Sequence, residues 1–212
     1  MTRQLKTKRH PLKKWRLVQA CGGSAYKPEG NLPAVEDVKR KTLNPFRPND
    51  PFEMASDRHG SYALVFKCTV PFQVVTGKLG PIFISGGYWI YVGSAFGQGG
   101  LRARLTHHLK PSHRPHWHID YIKSAMRLVE IWTTTDTAKR EHDWAMVFST
   151  LNGASRPIPG FGATDCMCRS HLIHLPRRPG FSNFKKQLRT AIPEHGPLVR
   201  FDLNKGPLDG VK

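Results

Sequence analysis

Acidic side chains are scarce in this chain. Fifteen Asp and Glu stand against 33 Lys and Arg over 212 residues, a formal charge of +18 with a pI of ≈ 10.2. So little negative charge argues against a cationic partner. It calls for a polyanion, because Lys and Arg neutralise phosphates and release their condensed counterions. DNA is the expected partner and RNA the second choice. Cysteine is also rare. Cys21, Cys68, Cys166 and Cys168 are unevenly spread, which argues against a disulfide framework and leaves thiols or metal ligands. Long apolar runs are missing. None approaches the roughly 18 residues of a membrane span, and no apolar segment follows the basic N-terminus to make a signal peptide. Neither a membrane partner nor secretion is expected. The expected location is the cytoplasm, in association with the nucleoid.

What is present divides into three stretches. The first 16 residues hold seven Lys or Arg, Lys13, Lys14 and Arg16 among them, and no acid. This run reads as an arm that meets phosphates without reading sequence. Residues 17–58 carry Pro28, Pro33, Pro45, Pro48 and Pro51 with little apolar periodicity. Together, 1–58 reads as a basic, Pro-rich N-terminal extension. Ordered texture begins near Gly60, and 59–176 is the expected compact domain. "SYALVFKCT" alternates as a strand, with Tyr62, Leu64, Phe66 and Cys68 on one face. "FQVVTGKLGPIFIS" is a second strand broken at "GKLG" by a turn or bulge, and "YWIYVG" a third, together an antiparallel meander. "GGLRARLTHHL" is a helix with Leu101, Leu105 and Leu109 as its buried stripe. "HWHIDYIKSAM" reads as another helix, "RLVEIW" as a strand, "TAKREHDWAMVFSTLN" as a helix and "HLIHL" as a closing strand. Residues 177–212, again basic, read as a peripheral C-terminal tail. The expected fold is α+β, a small, mainly antiparallel sheet flanked by helices.

Candidate chemistry gathers after "YWIYVG". Gly93 to Gly100 match neither a P-loop nor a dinucleotide fingerprint, so most of these glycines serve a tight strand-to-helix turn. On the next helix Arg104 and His108 are four residues apart and share a face. One is a permanent cation suited to a phosphate oxygen; the other takes up a proton near neutral pH. Glu141 begins the apolar face of its own helix. A carboxylate there needs a partner, a metal or the helix N-terminal dipole. In "HWHIDY", His116 and Asp120 are spaced to pair, and His118 and Asp120 are candidates for either a catalytic or an orienting role. "CMCRSH" sets Cys166, Cys168 and His171 in a C-x-C-x2-H spacing. That is atypical for zinc, and His142 is a conceivable fourth ligand.

These residues carry a resemblance. "GSY" at 60–62, "YVG" at 91–93, "LRARLTHHL" and the later helical Glu141 resemble the GIY-YIG nucleases. The longer stretches "GKLG", "YVGSAFGQGGL", "HWHIDY" and "GFGATDCMCRSHL" resemble an uncharacterised GIY-YIG-like domain family of unknown function, found alone or joined to endonuclease III-like glycosylases. The resemblance covers about 60–176. It implies a metal-dependent endonuclease that hydrolyses phosphodiester bonds in DNA repair or processing. Its catalytic set would be Tyr62, Tyr91, Arg104, His108 and Glu141, with Mg²⁺ or Mn²⁺ on Glu141 and one tyrosine acting as a phenolate base. It also implies association with a DNA repair glycosylase. The chain departs from the nuclease pattern in a longer gap between Tyr62 and Tyr91, in Ser61 at the middle of the first motif, and in His142 where related domains tend to have Cys.

Gly93, Arg102 and Lys78, with the N-terminal Lys13, Lys14 and Arg16, are the expected nucleic-acid contacts. Two rivals use the same features differently. A non-catalytic DNA- or RNA-binding module would keep the fold and the charge without the chemistry. A zinc-stabilised adaptor would use Cys166, Cys168 and His171 to dock on a repair enzyme.

Overall fold

The computed structural model describes residues 57–111 and 114–203. The arm bearing Lys13, Lys14 and Arg16 lies outside the described residues. Among the described residues the architecture is α+β: a five-stranded antiparallel sheet, a separate two-stranded hairpin and three α-helices. The large sheet is built from β1 (Ser61–Cys68), β4 (Gly87–Ser94), β5 (Arg127–Thr134), β6 (Leu172–Leu175) and β7 (Leu198–Asp202), in the order β6-β4-β1-β5-β7. The hairpin pairs β2 (Phe72–Val75) with β3 (Pro81–Ile84). The helices are α1 (Gly100–Leu109), α2 (Glu141–Ser149) and α3 (Phe181–Ala191).

Successive side chains of a strand point to opposite faces, so a sheet covered on both sides needs apolar residues at every position. β1, the central strand, meets that demand. Tyr62, Leu64, Phe66 and Cys68 enter one core with Trp89 and Tyr91 of β4 and Leu101 and Leu105 of α1. Ala63 and Val65 enter the other, with Ile90, Val92, Trp132, Trp144 and Phe148. The first core is roofed by α1, the hairpin and the loops carrying Ile119 and Phe161. The second is roofed by α2 and α3, where Phe148 and Phe184 stack with ring centroids 4.0 Å apart. Each such apolar side chain contributes about 1.5–3 kcal/mol when fully buried.

Four expectations need correction. The "GKLG" break is a 3-10 turn, Gly77–Leu79, that makes the hairpin a second sheet, so β1 pairs directly with β4 rather than through a meander. "HWHIDYIKSAM" is not an α-helix but two short 3-10 turns, His118–Tyr121 and Lys123–Ala125. On α1 the buried side chains after Gly100, itself buried, are Leu101, Leu105 and His108, while Leu109 is exposed. The stripe runs i, i+4, i+7, and the helix turns its imidazole rather than its last leucine inward. Finally, the stretch beyond Pro176 is not wholly peripheral. α3 buries Phe184 and Leu188, and β7 pairs with β5.

A carboxylate fastens that C-terminal stretch. Glu130 of β5 is fully buried. Its oxygens accept from Arg178 Nε at 2.6 Å, Arg200 Nε at 2.7 Å and Trp132 Nε1 at 2.6 Å. Asp202 accepts from both guanidinium groups on the solvent side. Two of the chain's many cations are thus committed to the fold. Among the described residues, no helix is long and apolar enough to cross a membrane.

Candidate active site

Tyr62 and Tyr91 leave neighbouring strands on the same face of the sheet, under α1. His108 descends from α1 between them. The Tyr62 hydroxyl lies 2.7 Å from His108 Nε2, and the Tyr91 ring stands edge-on to the imidazole at 6.0 Å. All three are buried. Burial, with the charges of Lys123 and His107 adding to it against the opposing pull of Asp120, lowers the His108 pKa to about 3. The ring is therefore neutral at pH 7. Either Tyr62 donates to a lone pair on Nε2, or Nε2–H donates to the phenol oxygen. In both tautomers Nδ1 is buried without a hydrogen-bond partner. Burial likewise raises both phenols above their ordinary range. A phenolate base, expected from the resemblance, meets that obstacle directly.

Neutral burial has a measurable consequence. His108 folds with its pKa below the unfolded value of about 6.5, so its contribution to stability is complete above that pH and is lost as pH falls toward about 3. Wild-type protein should lose about 2 kcal/mol from this group between pH 6.5 and 5. His108→Gln, though less stable at pH 7, should lose much less over that interval in urea titrations. An equal loss in both proteins would assign the acid sensitivity elsewhere.

Gly93 is set opposite Tyr62 in the β1–β4 register and is buried. A Cβ at this position would collide with the Tyr62 hydroxyl and ring. At Gly93, an expected nucleic-acid contact, the missing side chain makes room for the Tyr62 hydroxyl and ring. Gly93→Ala should cost about 1–3 kcal/mol, the range for an overpacked core. It should also displace the Tyr62–His108 pair. Unchanged stability and unchanged Tyr62 ring resonances by NMR would refute this.

Arg104 and Glu141 approach from different sides. α1 covers one face of the sheet and α2 the other. Yet α2 starts at the sheet's end. The backbone N–H of Arg140 donates to Ser61 Oγ at 2.9 Å, and its guanidinium is held by Asp136 and Asp143. Glu141 thus follows a residue tied to β1 beside Tyr62. It is half-buried, and its carboxylate is 3.6 Å from His142 Nε2. The charges of Arg104 and Glu141 both act on both phenols, Arg104 lowering and Glu141 raising their pKa values. The Arg104 guanidinium lies over Trp117, 4.2 Å from the ring centroid. That stacking holds a flexible cation in place.

In the "HWHIDY" segment, Asp120 and His118 each hold a neighbouring stretch of backbone. Asp120 is buried and accepts from Lys123 Nζ at 2.7 Å, from the backbone N–H groups of His116 and Trp117, and faces His107 Nε2 at 3.2 Å. Burial opposes its charge, but Lys123 and those N–H groups outweigh it and hold the carboxyl well below the usual range. The expected His116–Asp120 ring pair is replaced by this backbone bond. His107, His108 and Asp120 cluster closely enough for a metal, but the Lys123 ammonium already occupies the carboxylate. His118 Nδ1 accepts from Gly162 N–H at 3.0 Å and so positions the loop against Tyr91. Trp117, His107 and Lys123 were not legible as site components, because their roles depend on a loop that apolar periodicity read as a helix.

Of the remaining expected contacts, Lys78 is exposed on the hairpin turn and Arg102 is exposed beside Asp57 at 3.6 Å. Cys166, Cys168 and His171 come together with His142, their ligand atoms all within 4.8 Å of one another.

The fold and site define a class: a small α+β domain in which tyrosines from two paired strands meet a histidine of the covering helix, with a cation and a carboxylate acting on both phenols. The chain belongs to the family described as Domain of unknown function DUF123, whose model matches residues 61–193, more than half of its length. Comparison with curated proteins and with solved structures finds no match.

Proposed function

We propose that the chain is a metal-dependent DNA endonuclease of GIY-YIG type, acting on phosphodiester bonds in DNA repair or processing. One observation carries this reading: Tyr62, Tyr91 and His108 form one cluster, and the charges of Arg104 and Glu141 act on both phenols. Phosphodiester hydrolysis needs positive charge at the phosphate and an acceptor for the attacking water's proton. Arg104, braced on Trp117, supplies the charge. His108 is neutral and reached through the Tyr62 hydroxyl, and an anionic phosphate nearby raises an imidazole's affinity for a proton. Glu141 fits a hard divalent cation. It is partly open to solvent, and its ion-pair contact among the described residues is a histidine, not a Lys or Arg. Mg²⁺ or Mn²⁺ held there supplies positive charge and acidifies bound water. The charge of +18 favours a nucleic-acid substrate.

The test is incubation of the purified full chain with nicked, flapped and intact duplexes, in Mg²⁺ or in EDTA. Cleavage in Mg²⁺ that EDTA stops supports the reading. Binding without cleavage selects the second reading, a DNA- or RNA-binding module that retains the fold. The burial and protonation of both phenols favour that alternative.

A further inference from the structure

Between α2 and β6 the chain makes a loop that closes on itself. Gly160 N–H donates to the Arg169 carbonyl, and His171 N–H to the Phe161 carbonyl, both at 2.8 Å. These bonds pinch the base and leave Cys166 and Cys168 on the excursion. Met167 between them is fully exposed, while the two cysteines are half-buried. They face two imidazoles that come from elsewhere: His142 from the first turn of α2, and His171 from the loop's return into β6.

The separations suit a metal. His142 Nδ1 lies 3.2 Å from Cys168 Sγ, and Cys166 Sγ lies 3.5 Å from His171 Nε2. Zn–N bonds near 2.0–2.1 Å and Zn–S bonds near 2.3 Å, at tetrahedral angles, place neighbouring N and S ligands about 3.5 Å apart. All four ligand atoms lie within 4.8 Å of one another, so closing round one ion needs only side-chain adjustment. The donor set is two thiols and two imidazoles. Thiolates exclude the hard cations, and a tetrahedral S₂N₂ set is that of zinc. The other candidate cluster, His107, His108 and Asp120, has a lysine ammonium where an ion would sit.

We infer that His142, Cys166, Cys168 and His171 form a structural zinc site that staples the Gly160–His171 loop to the start of α2. Its position gives it a task. His142 adjoins Glu141. On the loop side, Gly162 lies against the Tyr91 ring so closely that a Cβ would stand 2.9 Å from it. Zinc there fixes the carboxylate's helix turn and the wall behind a tyrosine in one step. Zinc binding takes up neither Glu141 nor any residue of the tyrosine–histidine cluster, so it stands apart from the nuclease reading.

The test uses the full chain purified under reducing conditions with zinc supplied. Metal analysis should find one zinc per chain. Exchange for Co²⁺ should give the intense visible bands of tetrahedral cobalt with a thiolate charge-transfer band beside them. Cys166→Ser combined with Cys168→Ser should weaken zinc binding by more than about tenfold, the size seen even for outer-sphere changes. A chelator should lower the melting temperature of the wild type, because binding free energy to the native state is folding free energy. Should the double variant fold poorly, the cobalt spectrum of the wild type decides alone. Zinc at background level, a cobalt spectrum of octahedral type, or a double variant that keeps its zinc would each overturn the inference. None of these readouts uses nucleic acid, so a failed cleavage assay and a failed zinc assay are told apart.

Discussion

Glu141→Ala is expected to abolish Mg²⁺-dependent cleavage, with a loss of at least about a hundredfold in rate, while DNA affinity at low salt changes little. Glu141 is one carboxylate on a surface dominated by cations, so its removal takes nothing from phosphate attraction. It sits one residue beyond the Arg140–Ser61 tie and is half-buried, so truncating it leaves the helix start in place. Arg104→Ala provides the contrast. Arg104 stacks on Trp117, and under the proposed function it serves both phosphate attraction and chemistry. Its loss should weaken binding and slow cleavage together. Filter binding and single-turnover cleavage on one duplex separate the two outcomes. Wild-type cleavage by the Glu141 variant would remove this residue from the site and with it the metal proposed there.

The largest expected effect on stability lies at the far side of the sheet. Glu130→Ala should destabilise the protein by about 3–5 kcal/mol, the range for breaking a buried ion pair by removing one partner. The substitution removes the buried carboxylate shared by Arg178 and Arg200, leaving them only Asp202 as a common partner, and leaves Trp132 Nε1 without its acceptor. Glu130→Gln should cost less, since an amide oxygen still accepts one of these bonds. Urea denaturation at pH 7 checks both. If Glu130→Ala unfolds at the wild-type midpoint, the cluster is not what holds β7 to β5.

Much of this architecture was legible in the residues. Alternation marked β1, the runs "YWIYVG" and "RLVEIW" read as strands, and the apolar spacing of Trp144, Ala145 and Phe148 marked α2. Two kinds of information were hidden. The first was burial of polar groups. Nothing in "LTHHL" distinguishes a surface histidine from His108, because an imidazole has no hydropathic signature; only the i+7 spacing from Leu101 pointed inward. Glu130 was hidden in the same way, since its partners lie 48 and 70 residues away. The second was loop closure. Asp120 accepts the N–H groups of His116 and Trp117 and so stabilises a turn where side-chain periodicity indicated a helix. Short-range patterns therefore located the strands that carry the tyrosines. The setting of those tyrosines depends on contacts that only the folded chain makes.

The Glu130 cluster also dictates an order of events during synthesis. A chain emerging from the ribosome presents β1, β4 and β5 before Arg178 and Arg200 exist. β5 would then have to bury a bare carboxylate against Trp132, which is costly. Glu130 therefore gains its neutralising partners only once Arg178 and Arg200 have been made. Domains fold as units as they leave the ribosome, N-terminal segments first, but the buried charge of β5 is satisfied only by residues made after it. A nascent chain arrested before Arg178 would leave the Glu130 carboxylate without either guanidinium.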